Sequence, residues 1–276
     1  MDILYIIKGI IIAIVEGITE FLPISSTGHL IIVNDLISFG DGAFEKMFMV
    51  VIQLGAILAI IALYWTKLFG LLQSLLKGED KGKRFTIALI IGVIPAAILG
   101  FTLEDFIDEK LFGVPTVILA LVVGAIMMIW FERKYRNQAT IHEVDEITPL
   151  AALKIGVFQC LALWPGFSRS ASTIMGGWHQ GLSPGVAAEF SFFLAIPIMF
   201  GASGLKLAKF GLDGGFNIIT STQVLTLLVG FVLSFIVALV CVRAFMSYIK
   251  KKPMKVFAWY RFALAAVLIV YTVTKS

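Results

Sequence analysis

Apolar residues run along this chain in long blocks, without the alternation of a half-buried strand or the polar face of a soluble helix. A helix needs about 20 mostly apolar residues to cross the hydrocarbon core of a bilayer. Six stretches reach that length: residues 47–65, 85–103, 114–131, 186–205, 224–246 and 256–274. Two other apolar regions do not. Residues 3–39 are broken by Leu22-Pro23-Ile24-Ser25-Ser26-Thr27-Gly28-His29, and residues 150–181 by Trp164-Pro165-Gly166-Phe167-Ser168-Arg169-Ser170. Each has an apolar arm on both sides of the break, and neither arm alone is long enough to span. The pattern predicts an all-α polytopic membrane protein. It has six transmembrane helices and two re-entrant helix-loop-helix segments in a single integral membrane domain over residues 1–276.

Composition narrows the class. Hydrophobic residues make up 59% of the 276 and charged residues 14%, against roughly 45–50% and about 25% in soluble domains. An ordinary soluble globule and a disordered chain are excluded. The net charge of +4 is too small and dispersed for a nucleic-acid partner. Cys160 and Cys241 lie in apolar runs without metal-ligand spacing, and read as small buried hydrophobes. Glu16 ends the first apolar stretch with no small-residue cleavage site after it, so no cleaved signal peptide is expected.

The distribution of charge sets an orientation. Lys67, Lys77, Lys81, Lys83 and Arg84 follow the first span, Arg133, Lys134 and Arg136 the third, and Lys250, Lys251, Lys252 and Lys255 precede the last. The positive-inside rule puts these groups in the cytoplasm, and the connection with Glu104, Asp105, Asp108 and Glu109 outside. Parity then requires each broken region to enter and leave on one side, the first on the exterior and the second on the cytoplasmic face. Lys206 and Lys209 fall outside, against the rule. The order of broken segment, Pro/Ser loop and two spans occurs from residue 3 and again from residue 150. It predicts an inverted-topology repeat with halves at approximately 1–110 and 150–250, whose discontinuous helices meet near the midplane.

Irregular backbone at membrane depth persists only where protein or a watery cavity satisfies it. The two loops are therefore candidate sites, although a Pro/Gly kink alone would also break a helix. Glu16 and Glu20 share a helix face. A carboxylate near the bilayer centre costs roughly 2.5–3.5 kcal/mol, and two together call for a cation between them or a proton on one. A pair snorkelling to the surface is the plainer reading. Ser25, Ser26, Thr27 and His29 adjoin the acids; one hydroxyl is accounted for as an N-cap, but three beside an imidazole are not. Of the other two histidines, His142 sits in a charged segment and His179 reads as interfacial.

Arg169 stands between Ser168 and Ser170, with Gly166 before it and Ser172 and Thr173 after. Its fork suits phosphate oxygens, and a half-helix starting near Ser170 would aim free N–H groups at the same place. An ion pair with Glu16 or Glu20 is the structural alternative. Gln53 and Glu189, polar within apolar spans, could line the cavity or hydrogen-bond between helices. The set has the parts of metal-assisted phosphoryl transfer.

At this point a family resemblance is visible. The run Glu16-Gly17-Ile18-Thr19-Glu20-Phe21-Leu22-Pro23-Ile24-Ser25-Ser26-Thr27-Gly28-His29 resembles the first signature of the undecaprenyl-diphosphate phosphatases of the bacitracin-resistance type. Pro165-Gly166-Phe167-Ser168-Arg169-Ser170 resembles the second, with Ala171 where that signature often carries glycine. The likeness extends over the chain in length and hydropathy, including Val51-Ile52-Gln53-Leu54-Gly55 and Glu189-Phe190-Ser191-Phe192. It implies a bacterial inner-membrane enzyme, its site facing the periplasm. The enzyme would take undecaprenyl diphosphate and shorter prenyl diphosphates, release the monophosphate carrier for cell-wall synthesis, and confer bacitracin resistance when overproduced. It also implies a divalent cation, Mg2+ or Ca2+, at the acidic pair Glu16 and Glu20, with Glu20, Ser26, His29 and Arg169 catalytic. Ser25, Thr27, Gly166, Ser168, Ser170, Ser172 and Thr173 are expected to bind substrate beside Arg169.

Two assignments fall away. The acid-phosphatase pattern of membrane lipid phosphatases wants a nucleophilic histidine where Met175 stands, and no Walker phosphate loop is present. Within the expected reaction either Ser26 attacks phosphorus or an activated water does. A lipid flippase or anion-coupled transporter is the rival from another class, since inverted repeats are transporter architecture. The oligomeric state stays open, a homodimer being one assembly to test.

Overall fold

In a computed structural model, which describes residues 2–275 apart from the side chains of Glu104, Asp108 and Lys275, the six expected spans are all helices. They are α3 (Ala43–Leu63), α5 (Asp80–Thr102), α7 (Val114–Tyr135), α10 (Pro184–Leu212), α11 (Ser221–Ile249) and α12 (Lys255–Lys275). The first broken region is α1 (Ile3–Thr19) and α2 (Ser26–Ile37); the second is α8 (Pro149–Gln159), a 3-10 turn over Cys160–Leu163, and α9 (Arg169–His179). Two short helices were not expected: α4 (Trp65–Leu76) in the basic segment after α3, and α6 (Glu104–Lys110) in the acidic connection. Among the described residues there is no strand, only an isolated bridge between Ile141 and Leu182. The chain is a multi-pass helical membrane protein.

Both ends of each broken region lie side by side. Tyr5 near the start of α1 stacks on Phe39 just beyond α2, and Lys8 Nζ donates to the Ser38 carbonyl at 2.9 Å. The chain before α8 meets the chain after α9 through Thr140 N–H to Gly181 O at 2.8 Å and Ser183 N–H to Ile141 O at 2.9 Å. Helix pairings are crossed between the halves: α1 packs on α11 and α8 on α5, while α3 and α10 pack on each other. The two inner helices differ in cover. Residues 170–178 of α9 are all buried between α7, α8 and α10, whereas α2 buries only Gly28 and Ile32.

Small residues let the helices close up, as expected where lipid offers no hydrophobic drive for association. A Cβ on Gly55 would meet the Phe231 carbonyl at 2.6 Å, and one on Gly17 the Ser234 carbonyl at 2.9 Å. Ser234 Oγ donates to the Ile52 carbonyl at 2.7 Å across the same α3–α11 contact. At the other end of the bundle α7 fixes the turn between α11 and α12. Glu132, nearly buried, accepts from the backbone N–H groups of Met254 and, at 2.7 Å, Lys255. Arg136 donates to the carbonyls of Ile249 and Lys252 at 3.2 and 2.8 Å. The end of α11 and the start of α12 are thus both satisfied from one helix face.

The basic side also carries an ion cluster. Lys67 Nζ lies 2.5 Å from Glu189 Oε1, without hydrogen-bond alignment, and 3.3 Å from Glu143 Oε2. Burial works against the ammonium, but the close carboxylates of Glu189 and Glu143 outweigh it and hold its pKa above the ordinary lysine value. That contribution is complete below the unfolded pKa and is lost only as pH rises through the folded one.

Substitution of Gly55 by Val overpacks the α3–α11 contact and is expected to destabilise the protein by about 1–3 kcal/mol. Thermal unfolding in detergent checks this, and an unchanged Tm would contradict the close approach.

Candidate functional site

Helix α1 carries Glu16 and Glu20 one turn apart, with the Glu20 N–H still bonded to the Glu16 carbonyl at 3.0 Å. The chain then turns through Leu22 and Pro23 and restarts as α2. In the other half it turns through Pro165 and Gly166 and restarts as α9. The two restarts are built alike. Ser25 caps α2 with its Oγ accepting from Gly28 N–H at 3.3 Å, and Ser168 caps α9 by accepting from Ala171 N–H at 3.3 Å. Both serines hold positive φ, 72° and 77°. Such conformations cost a non-glycine residue about 1–3 kcal/mol each and persist only where surroundings enforce them. Ser170 Oγ donates to the Leu22 carbonyl at 3.0 Å and so ties the loops together.

Charges meet where the loops meet. Arg169 Nη2 lies 3.4 Å from Glu20 Oε1, and Nη1 donates to the Ser191 carbonyl of α10 at 3.0 Å. The guanidinium also sits over the Phe21 ring, 5.6 Å from its centroid. Ser26 Oγ donates to Glu20 Oε2 at 2.7 Å. Glu20 therefore has a partner on each oxygen. Glu16, one turn below, is fully buried and neither of its carboxylate oxygens has a hydrogen-bond partner.

Sequence reasoning grouped more residues than meet here. His29 is engaged by groups other than the acids: Nδ1 lies 2.7 Å from the Ser25 carbonyl, which fixes the proton on that nitrogen, and Nε2 lies 2.7 Å from Tyr260 Oη. The rings stack with 7° between their planes. Ser172 Oγ bonds to the Ser168 carbonyl at 2.8 Å, and Thr173 Oγ1 to Ser191 Oγ at 2.6 Å, so both hydroxyls are spent inside the protein. Glu189 pairs with Lys67 as described. Gln53 lines a cavity of about 680 Å³ whose inner wall includes Ser26 and Thr27.

Three contributors were missed. Ser191 was noted only for its place in the family likeness, and its backbone, not its type, holds Arg169. Tyr260 and Arg261 lie on α12, distant in sequence from both loops. Arg261 is fully buried and donates to four carbonyls: Nε to Leu121 at 3.2 Å, Nη1 to Phe167 at 2.8 Å, and Nη2 to Ala120 at 3.0 Å and Gly166 at 3.2 Å. Gly124 has no side chain where this guanidinium passes. The Gly166-Phe167 turn, with Gly166 at φ 97°, is thereby pinned to α7 immediately before Ser168 and Arg169. A lone arginine in an apolar run was the available signal.

A fully buried carboxylate with no partner fits a bound cation or a proton. Among the described residues no group of three or more Asp, Glu, His or Cys side chains could hold a metal. Two carboxylates suffice for a Mg2+ or Ca2+ that draws its other ligands from water and phosphate oxygens.

The fold and this cluster define a helical multi-pass membrane protein with a charged site shared between two interrupted segments. The family described as Bacitracin resistance protein BacA matches residues 9–267, and the chain belongs to it. It is 51% identical over 272 residues to a protein of Clostridium tetani (strain Massachusetts / E88) named undecaprenyl-diphosphatase, covering 99% of this chain and 98% of the relative. A relative of that name from Clostridium perfringens (strain SM101 / Type A) is 47% identical over 303 residues, covering 100% and 98%. Undecaprenyl-diphosphatase 2 of Clostridioides difficile (strain 630) is 47% identical over 283 residues, covering 99% and 97%.

Replacing Arg261 by Ala leaves the buried carbonyls of Gly166 and Phe167 without this donor and cuts the tie from their turn to α7. A loss of about 1–3 kcal/mol for each unpaired carbonyl is expected, read as a lower Tm in detergent. Arg261→Lys should recover less than half of it, because one ammonium cannot span carbonyls on α7 and the loop together.

Proposed function

We propose that the protein is a membrane phosphatase that hydrolyses undecaprenyl diphosphate to undecaprenyl phosphate and inorganic phosphate, returning the lipid carrier to cell-wall synthesis. Supporting this are the relatives' names and one local observation. A serine hydroxyl, the carboxylate that accepts its hydrogen bond and a guanidinium lie in one hydrogen-bonded chain, Ser26–Glu20–Arg169, where two helix N-termini converge.

Arg169 and the N–H groups opening α2 and α9 would hold the phosphoryl oxygens, whose charge they offset where water is scarce. Glu20 would accept the Ser26 proton as Oγ attacks the terminal phosphorus. The bond from phosphorus to the bridging oxygen breaks, undecaprenyl phosphate leaves with that oxygen, and water then releases phosphate from Ser26. His29, held by Ser25 and Tyr260, would position the start of α2 rather than act as the base for Ser26. Gly166, Ser168 and Ser170 would shape the anion-binding turn, with Ser25 and Thr27 opposite. Glu16 with Glu20 would hold the divalent cation, which supplies charge neutralisation at the phosphate. Shorter prenyl diphosphates present the same headgroup.

The meeting ends and crossed pairings support reading the two broken regions as re-entrant hairpins of an inverted repeat within one membrane domain. By the charge rule the cavity would face the periplasm of the inner membrane.

Purified protein in detergent should release phosphate from undecaprenyl diphosphate with Mg2+ or Ca2+, and stop with chelator. Glu16→Gln and Arg169→Ala should each lose roughly 100-fold or more, the scale of one preorganised charge in a transition state. Ser26→Ala distinguishes the nucleophile: turnover persisting near wild type would replace the phosphoserine route with attack by water.

A further inference from the structure

The cavity that ends on Ser26 and Gln53 opens at the end of the bundle formed by the start of α3 and the last turns of α10. Three lysines line that mouth: Lys46 from α3, and Lys206 with Lys209 from α10. All three are exposed. Among the described residues none of them has a carboxylate within ion-pair distance. Asp213 is the single carboxylate among the residues lining the cavity.

Ordinary helix electrostatics accounts for only part of this. Cations suit the C-terminal turns of a helix, so Lys206 and Lys209 could serve α10 alone. Lys46 lies in the first turns of α3, where the macrodipole disfavours a positive charge. Its neighbour Glu45 does not compensate it, because that carboxylate accepts from Tyr5 Oη at 2.6 Å on the α1 side. All three lysines also stand on the side of the membrane that the charge rule assigns to the exterior, where lysine is unfavoured. Of the lysines on that side, Lys8 donates to the Ser38 carbonyl and Lys110 pairs with Glu109, whereas these three share one cavity. Ammonium groups bind phosphate as point charges, and a like-signed rim focuses the field of an aqueous cleft on anions.

We propose that Lys46, Lys206 and Lys209 form a second anion subsite at the cavity mouth, one that holds a phosphate group between Ser26 and the aqueous phase. Resting on the phosphatase reading, it serves either the departing inorganic phosphate or a lipid phosphate headgroup at the membrane surface. The two share their chemistry and differ in source.

Amine-reactive labelling of the purified full chain, read by mass spectrometry, tests the subsite without needing turnover. Inorganic phosphate, against chloride at matched ionic strength, should reduce labelling of the three lysines by about two- to fivefold, the scale of an exposed ion pair. Lys250, Lys251 and Lys252 at the opposite end should be unaffected. Protection in phosphatidylglycerol nanodiscs but not by free phosphate keeps the subsite and makes the headgroup its ligand. No protection by either probe, or equal protection of Lys250–Lys252, overturns it. In the activity assay, inhibition by inorganic phosphate should weaken by a similar factor in Lys206→Gln and in Lys46→Gln; unchanged inhibition in both removes the product as ligand. Protection without any phosphate release would leave the subsite standing while the phosphatase reading fails.

Discussion

Ionised groups in a low-dielectric interior must find partners, and the centre of this molecule is arranged around Glu16, Glu20 and Arg169. The acids are on α1 and the arginine on α9, so the two interrupted segments have to meet tip to tip. Meeting there leaves the irregular backbone of both loops inside the bundle, where its polar groups need partners. The molecule answers with protein groups. Ser25 and Ser168 cap the restarted helices, Ser170 binds the opposite loop, and Arg261 collects the carbonyls before Ser168. The strained φ values of the two capping serines persist because these contacts over-determine the turns.

Cover is divided unevenly around that centre. Helix α9 is enclosed on every side, which suits the element that carries the guanidinium. Helix α2 is the open wall: its hydroxyls reach the acids on one side and the cavity on the other. The opposite end of the bundle is locked by Lys67 with Glu189 and Glu143, and by Glu132 and Arg136 around the α11–α12 turn. Lys46, Lys206 and Lys209 line the cavity at the open end, apart from Glu20 and Arg169.

The economy of the site is chemical as well. Glu20 touches both the Ser26 hydroxyl and Arg169, so one carboxylate links a hydroxyl of the first loop to the guanidinium of the second. Glu16, fully buried, is left without a hydrogen-bond partner on either oxygen. His29, the obvious base on inspection of the run, is engaged on both nitrogens by Ser25 and Tyr260 and lies off this chain of contacts.

Hydropathy alone determined the six spans, the two breaks and the polar residues at each break, because hydrocarbon thickness sets span length and because polar groups at that depth need a reason. The acidic pair was legible from its helical spacing, and Arg169 from its cost. The amphipathic α4 was not, since a short helix lying outside the spans gives no long apolar run. What only the tertiary structure decided is which oxygen faces which donor. Arg169 chooses Glu20, Ser26 joins it, His29 turns toward Tyr260, and Thr173 turns into the α10 contact. Gln53 reaches the cavity while Glu189 is claimed by Lys67. Arg261 and Tyr260 entered the site from a helix some ninety residues beyond Arg169, brought there by the Glu132 and Arg136 contacts on α7. Sequence spacing reports neighbours along one helix; it carries no record of which helices cross, and in this protein the partners of Arg169, Arg261 and Lys67 come from crossings.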